Sequence, residues 1–593
     1  MLRDFLRLYL RRYALLYVVG VVFLYATVQL TVTIPGLIKN VVDELDGQRR
    51  IAVVYDNALW ISVAAVGIIV VRTLSRITFF NPGRTIEFRV RNDMLARLLH
   101  MTPAFFRKWS IGDLMSRAGD DATFVRALVG FTPVMALNIV VSAVLAAWKM
   151  LHTDVTLTLL CVLPSLAATF ALRQGVKSTF AMMRTTQEAL GKLSDTVLET
   201  YKGISVVQGA AADEGFLRRF DRDNEHFTAI NLQTVTVRTL VLPIVGVVGN
   251  VCILLLLFVG GRHVVQGSMT LGDMAAYASY VGVLVGALAS AGWVVGALQR
   301  GFVSLRRVWD VLSLTPDLPL GDQPLPDPGM GLHLRVEHLT YRHPDAAEDA
   351  PPALDDVSFE VQPGHILGIY GAVASGKSTL VSILGRLTPP QRGTVFVDDV
   401  DLLDAADEPL RKAIAIVPQD AFLFSRSVRD NVAFIERADK ADPARVAQAV
   451  EKAQMSGEIE RFTDGYETMV GERGLSISGG QRQRLQLARA FYRGFRLLVL
   501  DDVLSAVDHD TERRLLDVLE TSIRDCGTTA VVISHRLSAL ARADEVIVLE
   551  QGRIVERGSH AALLRMGGTY ARVWDAQREQ GDQDDTVAAL VAV

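Results

Sequence analysis

Gly371-Ala372-Val373-Ala374-Ser375-Gly376-Lys377-Ser378 decides the fold of the C-terminal half of this 593-residue chain. The apolar run Ile366-Leu367-Gly368-Ile369-Tyr370 precedes it at strand length, and Thr379 onward opens a helix. A strand, a glycine-bearing loop and a helix in that order turn a pattern match into a phosphate site. Loop N–H groups and the helix N-terminus would hold phosphates. Lys377 would reach the β- and γ-phosphates of a nucleoside triphosphate, and Ser378 would ligate Mg²⁺. Gly371, Ser375, Gly376 and Thr379 complete the expected cradle.

Working outward, strand-like runs such as Leu497-Leu498-Val499-Leu500 alternate with helical patterns, as in a parallel α/β domain. Upstream, five prolines lie between Pro316 and Pro328, with Gly321 among them. Such a stretch neither continues a helix nor joins a central strand, so 313–330 reads as a linker. The α/β domain is then 331–580, and Gly581-Asp582-Gln583-Asp584-Asp585 opens a solvated acidic tail, 581–593.

Residues 1–312 have a different character. Half of all residues are hydrophobic and the mean hydropathy is +0.27, too high for an ordinary soluble chain and too low for one wholly in a membrane. Six stretches reach the ~20 apolar residues that a bilayer crossing needs: about 14–38, 55–80, 128–149, 154–173, 239–261 and 273–297. Two long connections are rich in Arg and Lys, including Arg84, Arg97 and Arg117 in the first and Lys192, Lys202 and Arg219 in the second. The positive-inside bias puts both in the cytoplasm, with the N-terminus and the α/β domain. The first apolar run is too long for a signal core, so no cleaved leader is expected. Both connections read as helical, so the spans should extend beyond the bilayer. Gln29, Asn138 and Asn250 lie within spans, as path-lining or interhelical groups. Pro35, Pro133, Pro164 and Pro243 are candidate bends. Cys161, Cys252 and Cys526 have no metal or disulfide spacing and read as buried thiols. A net charge of −4 gives no ground for nucleic-acid binding.

Several further segments follow the phosphate loop in order: Val417-Pro418-Gln419, Gly471-Glu472-Arg473-Gly474, Ile477-Ser478-Gly479-Gly480-Gln481, Leu498-Val499-Leu500-Asp501-Asp502 and Ser534-His535-Arg536. With Tyr341 upstream, the chain resembles a half-transporter of the ATP-binding cassette (ABC) family. Phe105-Phe106 with Ile111-Gly112-Asp113-Leu114-Met115-Ser116-Arg117 and Asp120-Asp121 is similar to the first intracellular loop of multidrug-type (type IV) exporters. Lys202-Gly203-Ile204-Ser205-Val206-Val207-Gln208-Gly209 is similar to the second. The resemblance implies an all-α six-helix transmembrane domain followed by an α/β P-loop ATPase domain, in a bacterial cytoplasmic membrane, with ATP and Mg²⁺ as cofactors. It implies that Tyr341 stacks on adenine, that Asp501, Gln419 and Ser378 serve Mg²⁺, and that His535 contacts the γ-phosphate. Gly471–Gly474 would touch the opposite intracellular loop. Ser478, Gly479, Gly480 and Gln481 would close over ATP held by a second subunit.

Departures from the family pattern are informative. Ala374 stands where Gly is usual, Ile477 where Leu is usual, and Asp502 where the catalytic Glu is usual. A base must come within about 2.6–3.2 Å of its water, and one methylene fewer withdraws it by about 1.5 Å. The expectation is a slow site at Asp502, and hence a heterodimer with a different chain bearing Glu. The resemblance implies export of amphipathic small molecules, drugs or lipids. The alternatives are an importer on the exporter fold and an ATP-gated regulator or channel.

Overall fold

The computed structural model of the chain describes all residues except 48–49, 242, 319–320, 327–330, 348, 435–440, 472–476, 505–506 and 580–593. Some side chains between 166 and 180 and between 238 and 245 also lie outside the description. Glu472–Gly474 therefore fall outside the described residues, as does the acidic tail. The chain divides into two compact units. One comprises Met1–Leu99 and Ser110–Leu314, the other His100–Trp109 and Thr315–Val593.

The first unit is helical. Its long elements are α1 (Ala14–Asp46), α2 (Ile51–Leu98), α3 (Phe131–Thr153), α4 (Val155–Lys202), α5 (Asp213–Val241), α6 (Pro243–Leu255) and α7 (Leu271–Leu312). Five described stretches are long and apolar enough to cross a membrane: Leu2–Asp46, Ile51–Leu98, Ile111–Thr153, Gly246–Val265 and Leu271–Leu312. The expected fourth span lies on α4, where Val155–Ser165 is the apolar part. Helices α2 and α4 each run 48 residues, roughly 72 Å at ~1.5 Å per residue, more than twice the ~30 Å hydrocarbon core. Leu59 and Ile69 of α2, Val140 of α3 and Leu163 of α4 lie exposed, as an apolar solvent permits. Gly20 lets α1 pack tightly on α2: a Cβ there would stand 2.5 Å from the Phe79 ring. Pro35 and Pro164 are inside helices, as expected for bends. Pro133 instead sits in the first turn of α3, where the missing N–H costs nothing, and Pro243 adjoins residue 242, which lies outside the described residues.

The acidic and basic residues of Ile111–Asp121 have a structural task in this unit. Arg307 of α7 pairs with Asp121 at 2.7 Å and also with Asp113. Arg117 pairs with Asp113 at 2.7 Å, and Ser304 donates to buried Asp121 at 2.6 Å. The loop is thereby fixed to the C-terminal part of α7.

The second unit contains two sheets. Strands β1 (Leu334–Tyr341), β2 (Leu354–Val361), β4 (Val395–Val397) and β5 (Val400–Asp401) form an antiparallel sheet in the order β2-β1-β4-β5. The larger sheet runs β10-β9-β3-β8-β7-β6, with β3 (Ile366–Gly371), β6 (Ile414–Val417), β7 (Leu497–Asp501), β8 (Thr529–Ile533), β9 (Glu545–Glu550) and β10 (Arg553–Gly558). All neighbours in it are parallel except β10, which pairs antiparallel with β9. β7 and β8 are buried along their whole length, which matches the apolar runs Leu497–Leu500 and Ala530–Ile533 within them. Part of the Pro-rich segment is held here: Gln323 N–H donates to Asp404 O at 2.9 Å and Ala406 N–H returns to Gln323 O at 2.7 Å. Cys161 and Cys252 are buried as expected, but Cys526 is exposed, because it ends helix α10 (His509–Cys526) on its solvent side.

A candidate nucleotide site at the strand ends

Parallel pairing alone brings three distant segments together. Ile369 of β3 and Asp501 of β7 both pair with Ile533 of the intervening β8. The loop after β3, the two aspartates ending β7 and His535 beyond β8 therefore share one carboxyl edge of the sheet, where open α/β sheets bind ligands.

The phosphate loop is tightly constrained. Gly376 precedes helix α8 (Lys377–Leu384) with φ +104°, and a Cβ on it would lie 2.4 Å from Ala353 O. A Cβ on Gly371 would lie 2.5 Å from Leu549 O. Both positions exclude any side chain. Ala374 adopts φ +64°, a left-handed conformation that costs an L-residue roughly 1 kcal/mol. Restoring the family's usual residue with Ala374→Gly should relieve that strain, partly offset by unfolded-chain entropy. The expected result is an unchanged or slightly higher unfolding temperature and unimpaired ATP binding, read by thermal denaturation with and without nucleotide.

Lys377 is buried and turned back on its own loop. Its Nζ donates to Gly371 O and Ala372 O, both at 2.7 Å, and to Ser375 Oγ at 3.4 Å. Burial pushes its pKa down, against the pull of Asp501 and Asp502. Asp501 is buried, and burial raises its pKa, reinforced by the neighbouring Asp502 charge. Lys377, a hydrogen bond with Ser378 and the nearby His535 all oppose that rise. The Ser378 hydroxyl thus lies near the Asp501 carboxylate. With the Gln419 amide as a third oxygen donor, the set fits a hard cation such as Mg²⁺ that keeps water and phosphate ligands. Gln419 lies two residues beyond Val417 of β6, whose partner is Leu500 of β7, and its side chain is exposed.

Asp502 sits at φ +49°, with its N–H donating to Ile533 O at 2.9 Å. Its Oδ1 accepts from the His535 N–H at 3.3 Å. Gln577, from the helical stretch 569–579, clamps the His535 segment: Nε2 donates to His535 O at 2.7 Å, and Oε1 accepts from Leu537 N–H at 3.0 Å.

Tyr341 ends β1 half-buried, its pKa raised by that burial. It meets His343 edge to face, with ring centroids 5.3 Å apart, and His343 Nε2 lies 3.2 Å from Thr379 Oγ1. A cavity of about 490 Å³ opens beside Ser378 and Thr379, lined also by His343, Asp345 and Arg107. Arg107 comes from the short helix Pro103–Lys108, whose neighbour Lys108 pairs with Asp345 at 2.9 Å. Gln577, His343 and Arg107 were not singled out in the sequence. Gln577 is 42 positions from His535 and no local pattern links them.

Ser478 caps a different helix, α9 (Gly479–Arg493). Its Oγ accepts from Gln481 N–H at 3.2 Å, while Gln481 Oε1 accepts from Ser478 N–H at 3.0 Å. The Gln481 side chain is thus used in a capping box. Among the described residues, no hydrogen bond joins Ser478–Gln481 to the phosphate loop of the same chain. Their exposed helix N-terminus, with Gly479 beside it, is suited to a phosphate supplied from outside.

Residues 354–505 match the ABC transporter family and residues 17–288 match the ABC transporter transmembrane region. The chain is 30% identical over 583 residues to a probable multidrug resistance ABC transporter ATP-binding/permease protein, YheI, of Bacillus subtilis, covering 96% of each. This chain belongs to the ABC transporters. It is also 30% identical to the multidrug resistance-like ATP-binding protein MdlA of Escherichia coli, covering 97% of each. A solved bacterial Atm1-family ABC exporter with ATP bound superposes with a TM-score of 0.79 over 96% of this chain and 98% of that one, at 23% identity, which establishes the shared fold. An ABC transporter with one membrane domain and one ATPase domain is a half-transporter that binds ATP, hydrolyses it in step with transport and works as a dimer.

Proposed function

We propose that this chain is one half of a heterodimeric exporter in a bacterial cytoplasmic membrane, with its N-terminus and ATPase domain in the cytoplasm. It moves amphipathic small molecules, drugs or lipids outward at the expense of ATP. In this reading Lys377, the loop N–H groups and Thr379 bind the triphosphate, Tyr341 stacks on adenine, and Ser378, Gln419 and Asp501 hold Mg²⁺. His535 senses the γ-phosphate. Ser478-Gly479-Gly480 completes the site of the partner, whose catalytic residue is Glu. Residues 1–312 form the membrane domain, 313–330 the linker and 331–580 the ATPase domain.

Asp502 carries the asymmetry. Its carboxylate is one methylene short and is drawn to the His535 backbone at 3.3 Å. A misplacement of ~1 Å costs on the order of 100-fold in rate. The test begins with tagging this chain and identifying what co-purifies at equal stoichiometry. With that partner in place, replacing its catalytic Glu by Gln should reduce ATP turnover on the order of 100-fold, while Asp502→Glu should alter it by no more than a few-fold. Equal losses from disabling either site, or recovery of this chain alone, would refute the asymmetric heterodimer.

A further inference from the structure

Arg72 and Arg76 of α2 stand one turn apart, a spacing that puts both on one helix face. Both are exposed, and among the described residues neither makes an ion pair or hydrogen bond. They line a cavity of about 200 Å³ with Thr27 of α1 and Met135 and Asn138 of α3. Between them, buried Ser75 donates to Gly20 O at 3.1 Å and so fixes this part of α2 against α1. The backbone that presents the two guanidinium groups is therefore held in place.

Depth sharpens the point. Arg72 is about 21 residues beyond Ile51, or ~32 Å along the helix at ~1.5 Å per residue. That is close to one hydrocarbon thickness of ~30 Å, and α2 then continues to Leu98. With Ile51 at one face of the hydrocarbon layer, the pair would lie near its other end, toward the Arg-rich connections, and within the second expected span. A lone interfacial arginine needs only to snorkel toward water. Two unpaired arginines converging with an amide and a hydroxyl on one cavity form a polar site lined by three helices. Unpaired charge at membrane depth is costly and marks a functional site by default. Arginine's planar fork matches phosphate oxygens in a bidentate manner.

We propose that this cavity binds the phosphate-type anionic headgroup of an amphiphile, and that the transported substrate class includes such anions. The inference deepens the transport reading above and rests on it for its meaning, but its test does not require ATP. The intact transporter, purified in neutral detergent, is titrated without nucleotide against phosphatidate and phosphatidylcholine carrying the same fluorescent tail. Wild type should bind phosphatidate about 10-fold or more tightly than phosphatidylcholine, as charge-assisted bidentate pairing would give. The double variant Arg72→Gln/Arg76→Gln should lose that preference. Arg72→Lys/Arg76→Lys should keep part of it, and Arg84→Gln, on the same helix but outside the cavity, should keep all of it. Hexyl phosphate as competitor distinguishes the sources. Displacement at concentrations comparable to the lipid identifies a soluble organic phosphate, and displacement only at far higher concentration identifies a lipid headgroup. Equal wild-type affinity for both headgroups, an unchanged double variant, or an equal loss in Arg84→Gln would overturn the proposal. Size-exclusion profiles matched to wild type establish that the variants are folded. Absent ATP turnover alongside intact phosphatidate binding would instead count against the transport reading alone.

Discussion

Lys377→Ala should abolish the stabilisation of the ATPase domain by ATP. The Lys377 ammonium bridges Gly371 O and Ala372 O within its own loop. A polyphosphate offers stronger, charged acceptors, so the ammonium exchanges two carbonyls for phosphate oxygens. Hydrogen bonds to charged groups contribute about 1.5–3 kcal/mol each, and losing two of them weakens binding on the order of 100-fold or more. At a nucleotide concentration of about 100 Kd, wild type gains about 2.7 kcal/mol, whereas a 100-fold weaker variant gains only about 0.4 kcal/mol. Thermal denaturation with and without Mg–ATP reads this directly. A variant that keeps the full nucleotide-induced shift would show that Lys377 does not face the phosphates.

The second large effect concerns stability. Arg489→Met should destabilise the ATPase domain by about 2–4 kcal/mol. Arg489 lies on α9, the helix capped by Ser478, and burial lowers its pKa to about 10. Nε donates to Asn431 O at 2.9 Å and Nη2 to Asn431 Oδ1 at 3.2 Å. Its guanidinium also lies 5.0 Å from the Phe434 ring centroid and 5.9 Å from that of Phe424, two rings stacked 4.6 Å apart. Asn431, itself buried, closes the turn by exchanging bonds with Phe424 N–H and O, both at 2.9 Å. Methionine can fill the volume but leaves Asn431 O without its charged donor. Arg489→Lys should rescue only part, since an ammonium lacks the fork that reaches two acceptors. The denaturation midpoint and hydrogen exchange over 422–434 measure the loss, and wild-type protection in the methionine variant would contradict the assignment.

Much of the site was legible in the sequence because its chemistry is local. Eight consecutive residues form the glycine-bearing loop after β3, and two adjacent aspartates, proposed for the metal and the water, follow on from β7. Backbone sterics then leave little choice, as the clashes that would attend a side chain at Gly371 or Gly376 make plain. Loop chemistry at the other end of the cassette was only partly legible. Gln481 reads in the sequence as a nucleotide contact, and the structure adds that its Oε1 accepts from Ser478 N–H in the cap of its own helix.

The sequence by itself determined the class of this protein: long apolar spans, a Pro-rich joint, a parallel α/β domain, and a shortened carboxylate at Asp502. Each is a matter of residue type and short spacing, which set solvation and local backbone geometry wherever the chain goes. Only the tertiary structure decided what meets across long intervals. It placed Gln577 against His535 and Arg107 beside Thr379. It left Cys526 in solvent, and it brought Arg72 and Arg76 to one cavity with Asn138. Those pairings depend on strand register and helix packing, through which side chains tens of residues apart share a few ångströms of space.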